Sequence, residues 1–262
     1  MFEISGRARV LFVFLFLSTP LKALDWSVTE LHFQYGNLDV PTFAGGGHEQ
    51  TFILTLQHAS GWKYGENFFF IDYVQDEFGA EDNLYGEIYL EFSATKILGV
   101  DIDLGPLKDI SLVAGYNYDD DAKVRKYLPG IRFDFDFPGF VFAKLDITGY
   151  IDDNEGVSER GAPKESDSWH VNAAWKYPFF IGKAKFSFEG HVEYIDNRRN
   201  EFGSRVSSWW LAQPQLRYDL GHSLYGKEDQ LFIGTEYQYW ENKLGDRNTD
   251  ESVFQALLVW QF

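Results

Sequence analysis

The chain has 262 residues, a formal net charge of −17, no cysteine and 18% aromatic residues, and its mean hydropathy is slightly polar at −0.29. So acidic a chain lacks the basic footprint that nucleic-acid binding needs. Without cysteine it has no disulfide scaffold, no thiol nucleophile and no cysteine metal site.

Arg7 and Arg9 precede an apolar run from Val10 to Leu17, followed by Ser18, Thr19, Pro20 and the small residue Ala23. A basic start, a short apolar stretch and a small residue predict an export signal over residues 1–23. The run is too short to cross a bilayer as a helix. Leu21 stands where a smaller residue is usual, so the cut is placed near Ala23 rather than at it. The segment carries three basic residues and one acidic, which leaves residues 24–262, read as one domain, near −19.

From there the chain alternates. Side chains of a strand point to opposite faces in turn, and the pattern predicts about twelve strands of roughly ten residues, the length of a tilted membrane strand. We assign the apolar face to lipid and the polar face to a lumen. The first, near 27–36, turns Glu30, His32 and Gln34 inward, and the second, near 48–58, Thr51, Thr55 and Gln57. The third, near 66–75, sets Phe68, Phe70 and Asp72 against Phe69, Ile71 and Tyr73. In the fourth, near 84–93, Tyr85, Glu87, Tyr89 and Glu91 oppose Ile88, Leu90 and Phe92. The fifth, near 110–117, turns Ser111, Gly115 and Asn117 inward; the sixth, near 127–137, Arg132, Asp134 and Asp136. After a Pro138-Gly139 turn, the seventh, near 140–150, places Phe142, Lys144, Asp146 and Thr148 in the lumen. The eighth, near 168–177, adds His170, Asn172 and Lys176, and the ninth, near 184–195, Lys185, Ser187, Glu189, His191 and Glu193. The tenth, near 208–219, adds Trp209, Gln213, Gln215, Arg217 and Asp219, and the eleventh, near 230–240, Gly234, Glu236 and Gln238. The last strand ends the chain, with Phe254, Ala256, Leu258, Trp260 and Phe262 on one face.

An even strand number puts both termini on the periplasmic side. The odd-to-even links are then extracellular. They are acidic and glycine-rich, with Gly45-Gly46-Gly47 in 37–47, Asp119-Asp120-Asp121 in 118–126, and the long segment 151–167. Two even-to-odd links, 94–109 and 219–229, are longer than the short turns expected at that end.

The stretches DWSVTELHFQYG (25–36), FFFIDY (68–73), YGEIYLEFSATKI (85–97), YLPGIRFDFDFPGF (127–140) and ESVFQALLVWQF (251–262) resemble the Tsx-like nucleoside-specific channel proteins, which include OmpK-type receptors. The resemblance implies an all-β, twelve-stranded, monomeric barrel in the outer membrane of a Gram-negative bacterium, with a narrow lumen that passes nucleosides. It also implies outer loops that can serve as bacteriophage or colicin attachment points. The closing Phe262 resembles the C-terminal signal read by the barrel-assembly machinery.

A neutral nucleoside offers a base to stack and hydroxyls to hydrogen-bond, so a selective pore needs inward aromatics beside polar groups. The inward positions that fit are Phe68, Phe70, Asp72, Tyr85, Glu87, Tyr89, Arg132, Asp134, Phe142, Lys144, Trp209 and Arg217, with Tyr150 and Trp240 on the same face. Phe68/Phe70 and Tyr85/Tyr89 on adjacent strands are the favoured pairs. The same residues can instead fill the barrel and pair its charges. No cofactor or metal is expected; a ladder of Glu189, His191 and Glu193 is the one cation-holding pattern. An outer-membrane enzyme stays open as an alternative, as does a general or hydrophobic-solute pore. A phospholipase-type site needs a Ser–His pair on the lipid face. His58 is the strand histidine turned outward, and no serine is read at a matching position nearby. A rim protease needs Asp and His at the outer edge, where His48 is the available histidine.

Overall fold

The computed structural model describes residues 24–76, 82–102 and 104–262; the predicted export signal lies outside the described residues. Twelve strands follow in order: β1 Leu24–Asp39, β2 His48–Trp62, β3 Gly65–Asp76, β4 Asp82–Ser93, β5 Leu107–Asp119, β6 Arg125–Phe135, β7 Phe142–Asp152, β8 Ser168–Ile181, β9 Ala184–Ile195, β10 in two halves, Trp209–Ala212 and Gln215–Asp219, β11 Leu231–Glu241 and β12 Glu251–Gln261. Each pairs antiparallel with its neighbours. The circle closes between β12 and β1, from Glu30 opposite Gln261 to Tyr35 opposite Ala256. Closure leaves no sheet edge to expose backbone donors to lipid.

The strands overrun several predicted ends. The second and third meet at a turn of Lys63 and Tyr64, and the sixth stops at Phe135, which leaves Asp136 and Phe137 in the link. The eighth runs through Pro178, where a turn is predicted. Its ladder with β7 ends at Lys176, while Pro178 pairs with Ser187 of β9. The missing N–H therefore falls where there is no β7 partner to receive it. The tenth strand is broken at Gln213 and Pro214. Gly190 across from the break has φ 141°, and a Cβ there would lie 2.3 Å from the Gln213 carbonyl. Glycine thus admits the bulge that proline forces.

Burial is inverted relative to a water-soluble domain. Glu30, His32, Arg132, Asp146, His170, Arg217 and Gln255 are buried in the interior, while Ile88, Leu90, Phe92, Leu112, Ile131, Ile147, Leu216 and Ile233 stand exposed on the outer wall. This is a lipid-facing belt. Aromatic rings border it at both ends. Toward the short turns, contacts of 5.0–6.2 Å join Phe135, Phe137, Phe140, Tyr177, Phe179, Phe186 and Tyr218. Toward the long links, Trp169, Tyr194 and Trp210 pack at 4.9–5.0 Å.

The β11–β12 link is tied to the β1–β2 link. Asp246, between β11 and β12, accepts from the Thr42 amide at 2.7 Å, the Thr42 hydroxyl at 2.6 Å and the Thr249 hydroxyl at 2.8 Å. Burial works against its charge, but these donors hold its carboxyl well below the usual carboxylate range. A depressed carboxyl stabilises above its unfolded value, about pH 4, and loses that contribution progressively as pH falls below it. Pepsin nicking within 242–250 should therefore rise as pH is lowered from about 4 toward 2. Asp246→Asn should be nicked at pH 4 more readily than the parent at the same pH.

Candidate functional site: the lumen

The β3–β4 ladder sets Phe68 opposite Tyr89, Phe70 opposite Glu87 and Asp72 opposite Tyr85. The Phe70 ring lies 6.2 Å from Phe68 and 5.9 Å from Tyr85. Glu87 accepts from both tyrosines, at 2.7 Å from Tyr89 and more closely from Tyr85, and from Asn117 at 3.0 Å. Two expected pairs therefore form one aromatic wall with a carboxylate between its hydroxyls. The wall continues into a buried cluster of Tyr89, Val113, Leu128, Tyr150, Ile195 and Trp209, with Phe68, Val206 and Trp240 against it. Over it lies Arg198 from the β9–β10 link. Its guanidinium is 4.5 Å from the Trp209 ring and 5.0 Å from Tyr150, and it bonds Glu165 at 2.8 Å.

The basic candidates are engaged in the wall. Arg132 makes a two-pronged contact with Asp146 at 2.6 and 2.7 Å and reaches Glu91 at 2.8 Å. Lys144 lies 2.6 Å from Glu66, 3.4 Å from Glu91 and 3.6 Å from Asp134. Arg217 is held by Glu30, Glu189 and Gln215. Such pairs keep buried charges compensated. Phe142 begins β7 opposite Lys176, about 27 Å along the strand from Tyr150 at 3.3–3.4 Å per residue, so it belongs to the turn end and not to the aromatic wall.

The arc from β10 through β12 to β1 carries amides. Gln213 donates to Gln238 at 2.8 Å, Gln255 to Glu236 at 3.0 Å and Gln215 to Glu236 at 2.6 Å. On β2, Thr55 donates to Asp72 at 2.5 Å, and the Gln34 side chain of β1 lies 3.4 Å from the same hydroxyl. Trp209 and Trp240 of the aromatic cluster stand on the same strands as Gln213, Gln215 and Gln238, so the lumen offers ring faces and neutral hydrogen-bonding groups side by side. Asp72, Glu87 and Glu236 are each hydrogen-bonded by neutral donors.

The family described as nucleoside-specific channel-forming protein, Tsx, matches residues 61–258. The chain belongs to this family. It is a channel-forming β-barrel of the Gram-negative outer membrane. No curated relative matches it. Among solved structures, the NanC porin aligns over 88% of this chain and 98% of its own length with TM-score 0.53 at 10% identity. The KdgM porin aligns over 89% and 99% with TM-score 0.48 at 9% identity. Outer membrane phospholipase A from Escherichia coli aligns over 92% and 93% with TM-score 0.48 at 12% identity. At 10% identity the likeness to the NanC porin is one of barrel fold.

In this Tsx-family barrel the carboxylates of the Glu189–His191–Glu193 pattern have separate partners: Glu189 faces Lys176 and Arg217, and Glu193 faces His170. Glu91, Asp109 and Asp134 do approach one another; Arg132 pairs with Glu91 and Lys144 with Glu91 and Asp134, while Asp109 accepts from the Ser93 hydroxyl and the Thr95 amide. The outward histidine corrects the sequence reading. Ser60, two residues from His58 and on the same face, lies 3.1 Å from its Nε2. His48 is at the rim, 2.7 Å from Asp39.

The sequence candidates are all aromatic or charged, so Gln34, Gln213, Gln238 and Gln255 are not among them. The usable signal was the recurrence of glutamine at inward positions of neighbouring strands. Arg198 gave no such signal, since it lies in a link and reaches the lumen only through the fold.

Proposed function

We propose that the barrel passes nucleosides by diffusion, with the base against Phe70, Tyr85 and the neighbouring rings and the sugar toward the glutamine arc. The observation that carries this is that one lumen presents ring faces and neutral hydrogen-bonding groups side by side. Base–aromatic stacking is worth roughly 1–3 kcal/mol per base, enough to favour a nucleoside yet weak enough to release it. The net charge of −17 over the whole chain and the absence of a ring of unpaired Arg or Lys among the described lumen residues disfavour phosphorylated forms. The termini are read as periplasmic, the long links as extracellular and open to phage or colicin, and the barrel as a monomer. Phe262, whose amide donates to the Thr29 carbonyl at 2.9 Å, is read as the handle for the assembly machinery. Single-channel conductance in a planar bilayer, titrated with adenosine, thymidine, AMP and a pentose, tests this. Saturable block by the nucleosides, with little effect of AMP or pentose, is expected. Conductance indifferent to the nucleosides would overturn the reading.

A hydrolase reading has one observation behind it, the His58–Ser60 contact. Its hydrogen bonds argue against a nucleophile. Ser60 is 1% exposed and donates to Asn67 Oδ1 at 3.1 Å. The Thr29 hydroxyl lies 2.8 Å from His58 Nδ1. The consistent assignment has Thr29 donating to Nδ1 and Nε2–H donating to Ser60, which leaves the imidazole no free site to take the serine proton. The row satisfies polar groups on a lipid-facing wall. A fluorophosphonate probe should leave the folded protein unlabelled. Labelling that Ser60→Ala removes would restore the hydrolase reading.

A further inference from the structure

At the end of the barrel that carries Leu24 and Phe262, three links are short, 63–64, 136–141 and 182–183, and two are long, 94–106 and 220–230. Each long link opens with a short helix: α1, Ala94–Leu98, and α2, Leu220–Tyr225. Both are defined elements. Ser93 Oγ accepts from the Lys96 amide at 3.0 Å and Gly99 closes α1 in the left-handed region; Asp219 accepts from the His222 amide at 2.8 Å and Gly226 closes α2. A link facing water calls for polar side chains. These expose Ile97, Leu98 (69%), Val100 and Leu104 beside α1, and Leu224 (67%) and Tyr225 on α2.

Both helices are fastened to the outer wall. Tyr218, the last ring of the turn-end aromatic border, donates to Ser223 of α2 at 2.6 Å. The His222 ring meets Phe180 edge-on at 6.3 Å, and Phe180 is itself exposed. Lys96 of α1 donates to the Gly65 carbonyl at 3.1 Å, next to the outward rings of Trp62, Tyr64 and Phe92. The exposed apolar side chains are therefore continuous with the lipid-facing belt.

We propose that α1 and α2 are interfacial anchors, lying in the headgroup layer of the leaflet at this end with their apolar side chains against phospholipid. They fix the depth at which this mouth sits. The inference rests on the membrane barrel and not on the choice of solute.

The chain has no cysteine, so single-site labelling is clean. Leu98→Cys and Leu224→Cys, labelled with an environment-sensitive nitrobenzoxadiazole dye, are refolded as full chains into phosphatidylcholine vesicles, with or without acyl chains brominated near the headgroup. Leu112→Cys on the lipid-facing wall marks insertion, and Asp121→Cys, at an exposed polar position of the β5–β6 link, marks water. Both anchor sites should be quenched at least roughly half as strongly as the Leu112 site, with the Asp121 site unaffected. Emission and quenching at both like those of the Asp121 site would overturn the proposal. Quenching at one site alone would overturn it for the other helix.

Discussion

Phe70→Ala is expected to raise the nucleoside concentration for half-maximal block by about 5- to 100-fold, with the unblocked conductance retained. The range follows from stacking worth roughly 1–3 kcal/mol and a tenfold change for each 1.4 kcal/mol. Phe70 is half-buried between Phe68 and Tyr85, opposite Gln57 in one ladder and Glu87 in the other. It therefore stands between aromatic and amide groups. Phe68, the other member of the pair, packs against the buried cluster, so its removal would disturb packing as well as stacking. Phe70→Trp should keep the block and Phe70→Leu should lose it, which separates a ring face from mere volume. Concentration–block curves from single-channel recordings read all three. An unchanged curve for Phe70→Ala would remove this ring from the pathway.

Arg132→Ala should destabilise the barrel by about 3–5 kcal/mol, the usual consequence of stripping one partner from a buried ion pair. The side chain holds Asp146 in two contacts and Glu91 in a third, and both carboxylates are buried. Removing it leaves Asp146 without its cation and Glu91 dependent on Lys144 alone. Arg132→Lys should recover part of the loss, since one ammonium cannot reproduce the planar two-pronged contact. Arg132→Met combined with Asp146→Leu should cost less than Arg132→Ala, because the orphaned charge goes with its partner. Urea unfolding in detergent micelles, followed by heat-modifiable gel mobility, provides the comparison. A loss under about 1 kcal/mol for Arg132→Ala would show the pair to be solvated, as surface pairs are.

The strand count, the inward and outward faces and the pairing of Phe68 and Phe70 with Tyr85 and Tyr89 were legible because alternation is local: each residue's side follows from its neighbours two positions away. Strand ends were less so. Pro178 reads as a turn until the β7 ladder is seen to stop at Lys176, and Gln213–Pro214 reads as continuous strand until Gly190 is seen to yield to it. Ser60 was missed beside His58 because the second strand was ended at residue 58, whereas the ladder with β3 carries it to Trp62.

What the sequence by itself determined is a lipid-facing surface, an acidic polar interior and the twelve alternating segments that separate them. Only closure of the circle decided which interior groups meet. It gathered glutamines of β1, β10, β11 and β12 onto one arc of neighbouring strands, and it brought Arg198 from a link onto Tyr150 and Trp209. It also spent Arg132, Lys144 and Arg217 on carboxylates of other strands. The reason is geometric. A strand's period states which way a side chain points, but the partner that compensates a buried charge lies across strands tens of residues away in sequence, and register and circumference alone bring it within reach.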